Sequence, residues 1–141
     1  MTIKGECLCG RVRYEISGRL FDASNCYCSM CRRQHGAAFA TYADCDPAGF
    51  IWTSGKDLVK NFEPSADAGW CFCRQCGSSL AGTVKGEVTS IALGTVDGNP
   101  GIKPGANIFV GSRAQWYEIN DDLPQFEARP PDAWEPPGKG P

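Results

Sequence analysis

Cys26-Tyr27-Cys28-Ser29-Met30-Cys31-Arg32-Arg33-Gln34-His35 places three sulfurs within six positions. Three thiolates that close together can wrap one face of a zinc ion and leave its fourth position to water or substrate. Any chemistry is expected at that open position. Working outward, Cys7-Leu8-Cys9-Gly10 comes before this stretch, and Trp70-Cys71-Phe72-Cys73-Arg74-Gln75-Cys76-Gly77 follows it. Both end on glycine, the residue that tolerates the tight turn a metal-binding knuckle requires.

Cys73 and Cys76 form a C-x-x-C pair that needs a second pair to complete a tetrahedral site, and Cys7 and Cys9 are the natural donors. A zinc there would tie an N-terminal turn to the middle of the chain, a useful cross-link where the core is small. Redox chemistry at Cys73-x-x-Cys76 would call for a βαβ setting, which this sequence lacks. The trio Cys26, Cys28 and Cys31 is then left with one place open. Cys71-x-Cys73-x-x-Cys76 has the same spacing, so either triplet could be the open one. If Cys71 and Cys73 lie on one strand they share a face, and Cys71 could close the second site. His35, the single histidine, could act as a fourth ligand or proton carrier, or simply finish the turn after the cluster.

Nine cysteines in 141 residues need an explanation. Their number is odd, the spacings are too tight for most disulfides, and Met1-Thr2-Ile3-Lys4-Gly5 is not a signal-peptide stretch, so metal ligation is favoured. No apolar run approaches the roughly 20 residues of a membrane span. With 14 Lys plus Arg against 16 Asp plus Glu, nothing marks a nucleic-acid footprint or a polybasic membrane surface. The expectation is a soluble cytoplasmic protein with a small-molecule partner.

The fold reads as mostly β and as one domain. Arg11-Val12-Arg13-Tyr14-Glu15-Ile16-Ser17 alternates, with Val12, Tyr14 and Ile16 on one face. Further strands are predicted over 37–43, 50–52, 58–62, 79–84, 88–93 and 107–110, with Thr53-Ser54-Gly55 as a hairpin signal. Ser29–Gln34 predicts one helical turn stopped by Gly36. Seventeen glycines and ten prolines leave no room for long helices. Six of the prolines lie between Pro124 and Pro141, which predicts an extended or disordered tail over 128–141.

Charge narrows the chemistry. A zinc on three thiolates is formally −1, a weak activator of water but well suited to hold an incoming thiol as thiolate. Seven thiolates and two Zn²⁺ ions add −3 to the formal −2, giving −5. Arg32, Arg33 and Arg74 flank the clusters and could bind the carboxylates of an anionic thiol through their planar forks. Cys45 fits no ligand pattern and reads as a small hydrophobe. Trp52, Trp70 and Trp116 read as core residues or pocket walls. Trp134, in the tail, could dock on a partner or on a second copy of the chain in a homodimer.

The order Cys7-x-Cys9-Gly10, Cys26-x-Cys28-x-x-Cys31-Arg32, Gly36, Phe72-Cys73-x-x-Cys76-Gly77-Ser78 resembles the glutathione-dependent formaldehyde-activating enzyme family, which shares its domain with a centromere protein. The resemblance runs from about Lys4 to Glu127 and takes in Ile108–Trp116 and Asp122–Phe126. It implies a zinc-stapled β-tent of short antiparallel sheets, with a structural zinc on Cys7, Cys9, Cys73 and Cys76. A catalytic zinc would then sit on Cys26, Cys28 and Cys31. The implied activity is that of a carbon–sulfur lyase joining formaldehyde to glutathione as S-hydroxymethylglutathione. This chain departs from the family at Tyr27 and Asn107, where histidine is common, and in the additional thiol Cys71.

Overall fold

The structure is a computed structural model and describes residues 2–135. Ten strands, numbered in chain order, account for most of the regular structure: β1 (Thr2–Glu6), β2 (Arg13–Ser17), β3 (Phe21–Cys26), β4 (Ala40–Asp44), β5 (Phe50–Ser54), β6 (Val59–Ser65), β7 (Ala68–Cys73), β8 (Ser79–Val84), β9 (Glu87–Ala92) and β10 (Ala106–Ile108). Among the described residues they lie in two sheets, with a single α-helix, α1 (Ser29–His35). The predicted mostly-β class is what the chain adopts. The chain divides into two compact units, one comprising everything up to Phe21 with Ala43–Ile102, the other Asp22–Tyr42 with the chain from Lys103 onward.

In the first unit, β1, β2 and β5 make one antiparallel sheet with β2 in the middle. The alternation read from residue 11 to 17 explains it: Val12, Tyr14 and Ile16 are fully buried, while Arg11 and Arg13 are exposed. The Tyr14 ring stacks on Phe50 at 5.4 Å, and its hydroxyl lies 2.8 Å from Thr95 Oγ1. A second antiparallel ladder runs β9-β8-β7-β6. Its buried side chains include Leu80, Ala81 and Ile91.

The hairpin predicted at Thr53-Ser54-Gly55 does not form. β5 pairs with β2, and β6 pairs with β7. Gly55 takes a left-handed φ of 69° directly against the Arg11 carbonyl, and a 3-10 turn over Lys56–Leu58 redirects the chain. A hairpin does occur between β6 and β7, where Asp67 has φ 64°.

In the second unit, β3 lies between β10 and β4. The β10–β3 pairing is parallel, with Asn107 opposite Asn25 and Ile108 opposite Cys26. This departs from the expected all-antiparallel sheets; parallel strands need a long connection, and here it is everything between residues 26 and 106. β3 has no counterpart among the strands expected from sequence, because its inward positions are Ala23 and Asn25 rather than large apolar residues. A further segment runs along β10: Asn107 N donates to Pro124 O at 2.8 Å, Phe126 N to Asn107 O at 2.9 Å, and Val110 N to Phe126 O at 3.0 Å. Of the Pro-rich stretch, Ala128 O accepts from Phe109 N, and Trp134 packs on Phe126 at 5.0 Å. Residues 136–141 of that stretch lie outside the described residues.

Candidate metal centres

Two groups of cysteine sulfurs converge, one in each unit. In the first unit, Cys7 and Cys9 follow β1, and Cys73 ends β7. Each half is a tight turn closed by glycine. Gly10 N donates to Cys7 O at 3.0 Å with φ 74°, and Gly77 N donates to Cys73 O at 2.7 Å with φ 82°. Only glycine takes such φ values without strain. Ser78 joins the halves: its Oγ accepts from Leu8 N at 2.8 Å and lies 3.3 Å from Cys76 Sγ. The sulfurs of Cys7, Cys9, Cys73 and Cys76 all fall within 4.8 Å of one another.

Those separations fit a metal. Zn–S bonds of about 2.3 Å in a tetrahedron put sulfurs about 3.8 Å apart. Cys7 and Cys9 are 3.5 Å apart, and Cys9 and Cys73 3.9 Å, with every cysteine a free thiol. Val12 N also donates to Cys7 Sγ at 3.3 Å, the kind of N–H···S contact that orients a ligating thiolate.

In the second unit, the sulfurs of Cys26, Cys28 and Cys31 fall within 4.8 Å of one another. Cys26 ends β3, and Cys28 is the N-cap of α1, its sulfur accepting from Cys31 N at 3.3 Å. Cys31 is carried inward on the first turn of α1, and Gly36, at φ 60°, ends the helix where predicted. As bare thiols the three share protons unequally. Hydrogen bonds from Cys26 and then Cys31 pull Cys28 down to about 2. Cys31 is pushed far up by Cys26 and Cys28, and Cys26 to about 11, first by its bond with Cys28. Full ionisation of such a cluster calls for a cation, and zinc suits an all-sulfur donor set.

Two residues that could have completed a cluster stand outside both groups. Cys71 is buried on β7, its Sγ 3.7 Å from Asn61 Oδ1, and burial pushes its thiol up to about 11. It shares a face with Cys73, as expected, yet the second pair comes from Cys7 and Cys9. His35 Nε2 lies 3.2 Å from Tyr42 Oη, and burial lowers its pKa. Among the described residues, the trio has no fourth His, Cys, Asp or Glu in its cluster.

The remaining predicted residues separate by environment. Arg33 and Arg74 are exposed; Arg32 is half-buried, and its Nε is a buried donor without a partner among the described residues. Cys45 is a buried small hydrophobe, as expected, with its thiol raised to about 11 by burial and then by Asp44 and Asp46. Trp52 packs edge-on against Phe50 at 4.7 Å and Trp70 is half-buried, but Trp116 is 73% exposed and is no core residue. Tyr27 is buried against Phe39 at 5.0 Å and Tyr117 at 6.0 Å, so it anchors the turn between Cys26 and Cys28. Ser78 is marked in the sequence only by its place in the motif Cys76-Gly77-Ser78, and Asn25 and Asp121 have no signature; the one available hint to them is a polar residue, Asn107, at the head of the apolar run Ile108-Phe109-Val110.

A crystal structure of a Rhodobacter sphaeroides protein is similar at a TM-score of 0.54 and 28% identity, over 69% of this chain and 91% of that one. The model of the glutathione-dependent formaldehyde-activating enzyme family matches residues 2–112. That match covers most of the chain and both cysteine groups, and the protein belongs to the glutathione-dependent formaldehyde-activating enzyme family.

Proposed function

We propose that this protein is a zinc-dependent carbon–sulfur lyase, an S-(hydroxymethyl)glutathione synthase that joins formaldehyde to glutathione. The observation that carries the reading is the contrast between a four-sulfur cluster and a three-sulfur cluster that has no fourth His, Cys, Asp or Glu beside it among the described residues, in a chain of this family. Cys7, Cys9, Cys73 and Cys76 hold a structural zinc; Cys26, Cys28 and Cys31 hold the catalytic one. When bound at the trio, zinc supplies a site at which a thiol is acidified and held as a nucleophile.

The chain's own residues do the rest. Cys28 ties the site to the helix start, so trio and helix are positioned together. Arg32 and Arg33, next in α1, offer cationic forks to the carboxylates of an anionic thiol. In the reaction, sulfur bonds to the aldehyde carbon and the thiol proton ends on the aldehyde oxygen, with no oxidation or reduction. The functional domain in this reading is 1–127, with 128–141 as its tail, and the protein works in the cytoplasm, where thiols stay reduced.

The test is exchange NMR of glutathione with formaldehyde, with and without the zinc-loaded protein, using Cys28→Ser as control. Acceleration over the spontaneous reaction that disappears in Cys28→Ser is the expected result. An unchanged rate at full zinc occupancy would overturn the assignment and favour a non-catalytic zinc-stapled binding module.

A further inference from the structure

A chain of side-chain hydrogen bonds, buried at its centre, runs through the second unit and ends next to the trio. Asn107 is fully buried. Its Nδ2 donates to Asp121 Oδ1 at 2.8 Å, and its Oδ1 accepts from Asn25 Nδ2 at 3.1 Å. Asn25, also buried, then presents its own Oδ1 to Thr41 Oγ1 at 2.7 Å. The direction of this relay is fixed from one end. An ionised carboxylate only accepts, so Asn107 must turn its NH₂ toward Asp121; its carbonyl must then face Asn25, which has to answer with its NH₂. Each amide is held in one of two orientations it could otherwise adopt.

Asn25 immediately precedes Cys26 on β3, and the register sets Asn107 opposite Asn25 and Ile108 opposite Cys26. Ile108 O also accepts from Tyr27 N at 3.0 Å, so β10 grips the backbone on both sides of Cys26. Successive strand residues point to opposite faces, and pinning Asn25 inward therefore delivers the Cys26 sulfur to the other face. We infer that Asn107 is the positioning residue of the three-cysteine site: oriented by Asp121, it locks Asn25 and so fixes where β3 presents Cys26. This inference rests on the reading of the trio as a metal site. Partners that orient metal ligands typically govern affinity about 10- to 100-fold.

The experiment is cysteine-resolved alkylation of zinc-loaded protein under chelator challenge, read by peptide mass spectrometry. Variants are Asn107→Asp, which opposes two carboxylates across the 2.8 Å contact, and Asn107→Asp with Asp121→Asn, which reverses that bond's polarity and restores it while giving up the 3.0 Å bond from Leu123 N to Asp121 Oδ1. In Asn107→Asp, Cys26, Cys28 and Cys31 are expected to lose protection about tenfold or more faster than in the wild type. Cys7, Cys9, Cys73 and Cys76 keep theirs, and the double variant regains much of the difference. Trio protection unchanged in Asn107→Asp, equal exposure of all seven cysteines, or a double variant no better than the single would each overturn the inference. A wild-type trio never protected by zinc would overturn the metal reading and this inference with it; a protected wild type confines any failure to Asn107.

Discussion

At Gly5 the absence of a side chain is a packing requirement. A Cβ there would run into the Tyr14 ring and come within 2.6 Å of Thr95 O, and Tyr14 cannot retreat because it is buried and hydrogen-bonded to Thr95. Gly5→Ala is expected to cost about 1–3 kcal/mol in urea unfolding, the usual cost of overpacking. Cys71→Ala makes the opposite point. It should leave two zinc ions per chain by metal analysis, because Cys71 belongs to neither sulfur group; loss of a metal would show that it ligates. His35 supplies a pH dependence. Burial lowers its folded pKa below 6.5, so the unfolded chain binds the proton more readily. The contribution is full above 6.5 and is lost as pH falls below it. Wild type should therefore lose more stability between about pH 7.5 and 5.5 than His35→Gln in paired urea titrations.

Among the elements, α1 shows sequence and metal chemistry sharing one residue. Cys28 is a trio sulfur and the N-cap acceptor of the helix that carries Cys31. Cys28→Ser should lose trio metal yet keep a competent cap, whereas Cys28→Ala loses both, a further cost of about 1 kcal/mol visible in the apo proteins. This helix was legible because Ser29 to Gly36 carries its own stop signal, and β2 because alternation reaches both faces. β3 was not, since a strand whose inward residues are Ala23 and Asn25 has no hydrophobic period to detect. The Thr53–Gly55 hairpin failed for a related reason: local turn chemistry was present, but a long-range approach of Gly55 to Arg11 decided the pairing.

At the scale of the whole molecule, the pairing of Cys7 and Cys9 with Cys73 and Cys76 was legible from ligand spacing, but the place of Cys71 was not, because Cys71-x-Cys73-x-x-Cys76 repeats the spacing of the trio and only the fold leaves Cys71 outside both groups. The parallel β10–β3 register and the Asn107 relay were not legible either, since both join residues more than 80 positions apart. The four-sulfur group links residues 7–9 to residues 73–76 across the first unit. Structural zinc sites contribute about 10 kcal/mol or more, comparable with the whole stability of a domain. Chelation is therefore expected in two steps: early release of one zinc with little change in far-UV circular dichroism, then release of the second together with loss of the β signal. Simultaneous release of both would contradict this order.

The parallel pairing of β10 with β3 also bears on how the protein is made. A ribosome emits Cys26, Cys28 and Cys31 long before Asn107, Ile108 and Asp121, the residues that brace the strand carrying Cys26. The four-sulfur group, by contrast, has all its ligands once Cys76 has emerged. During translation the reactive trio is thus exposed without its scaffold for the length of roughly 80 residues, its neighbouring thiols free to oxidise to one another. A pause in translation after Cys76 has emerged and before residue 107 should damage the trio selectively while sparing the four-sulfur group, whose ligands are by then all present.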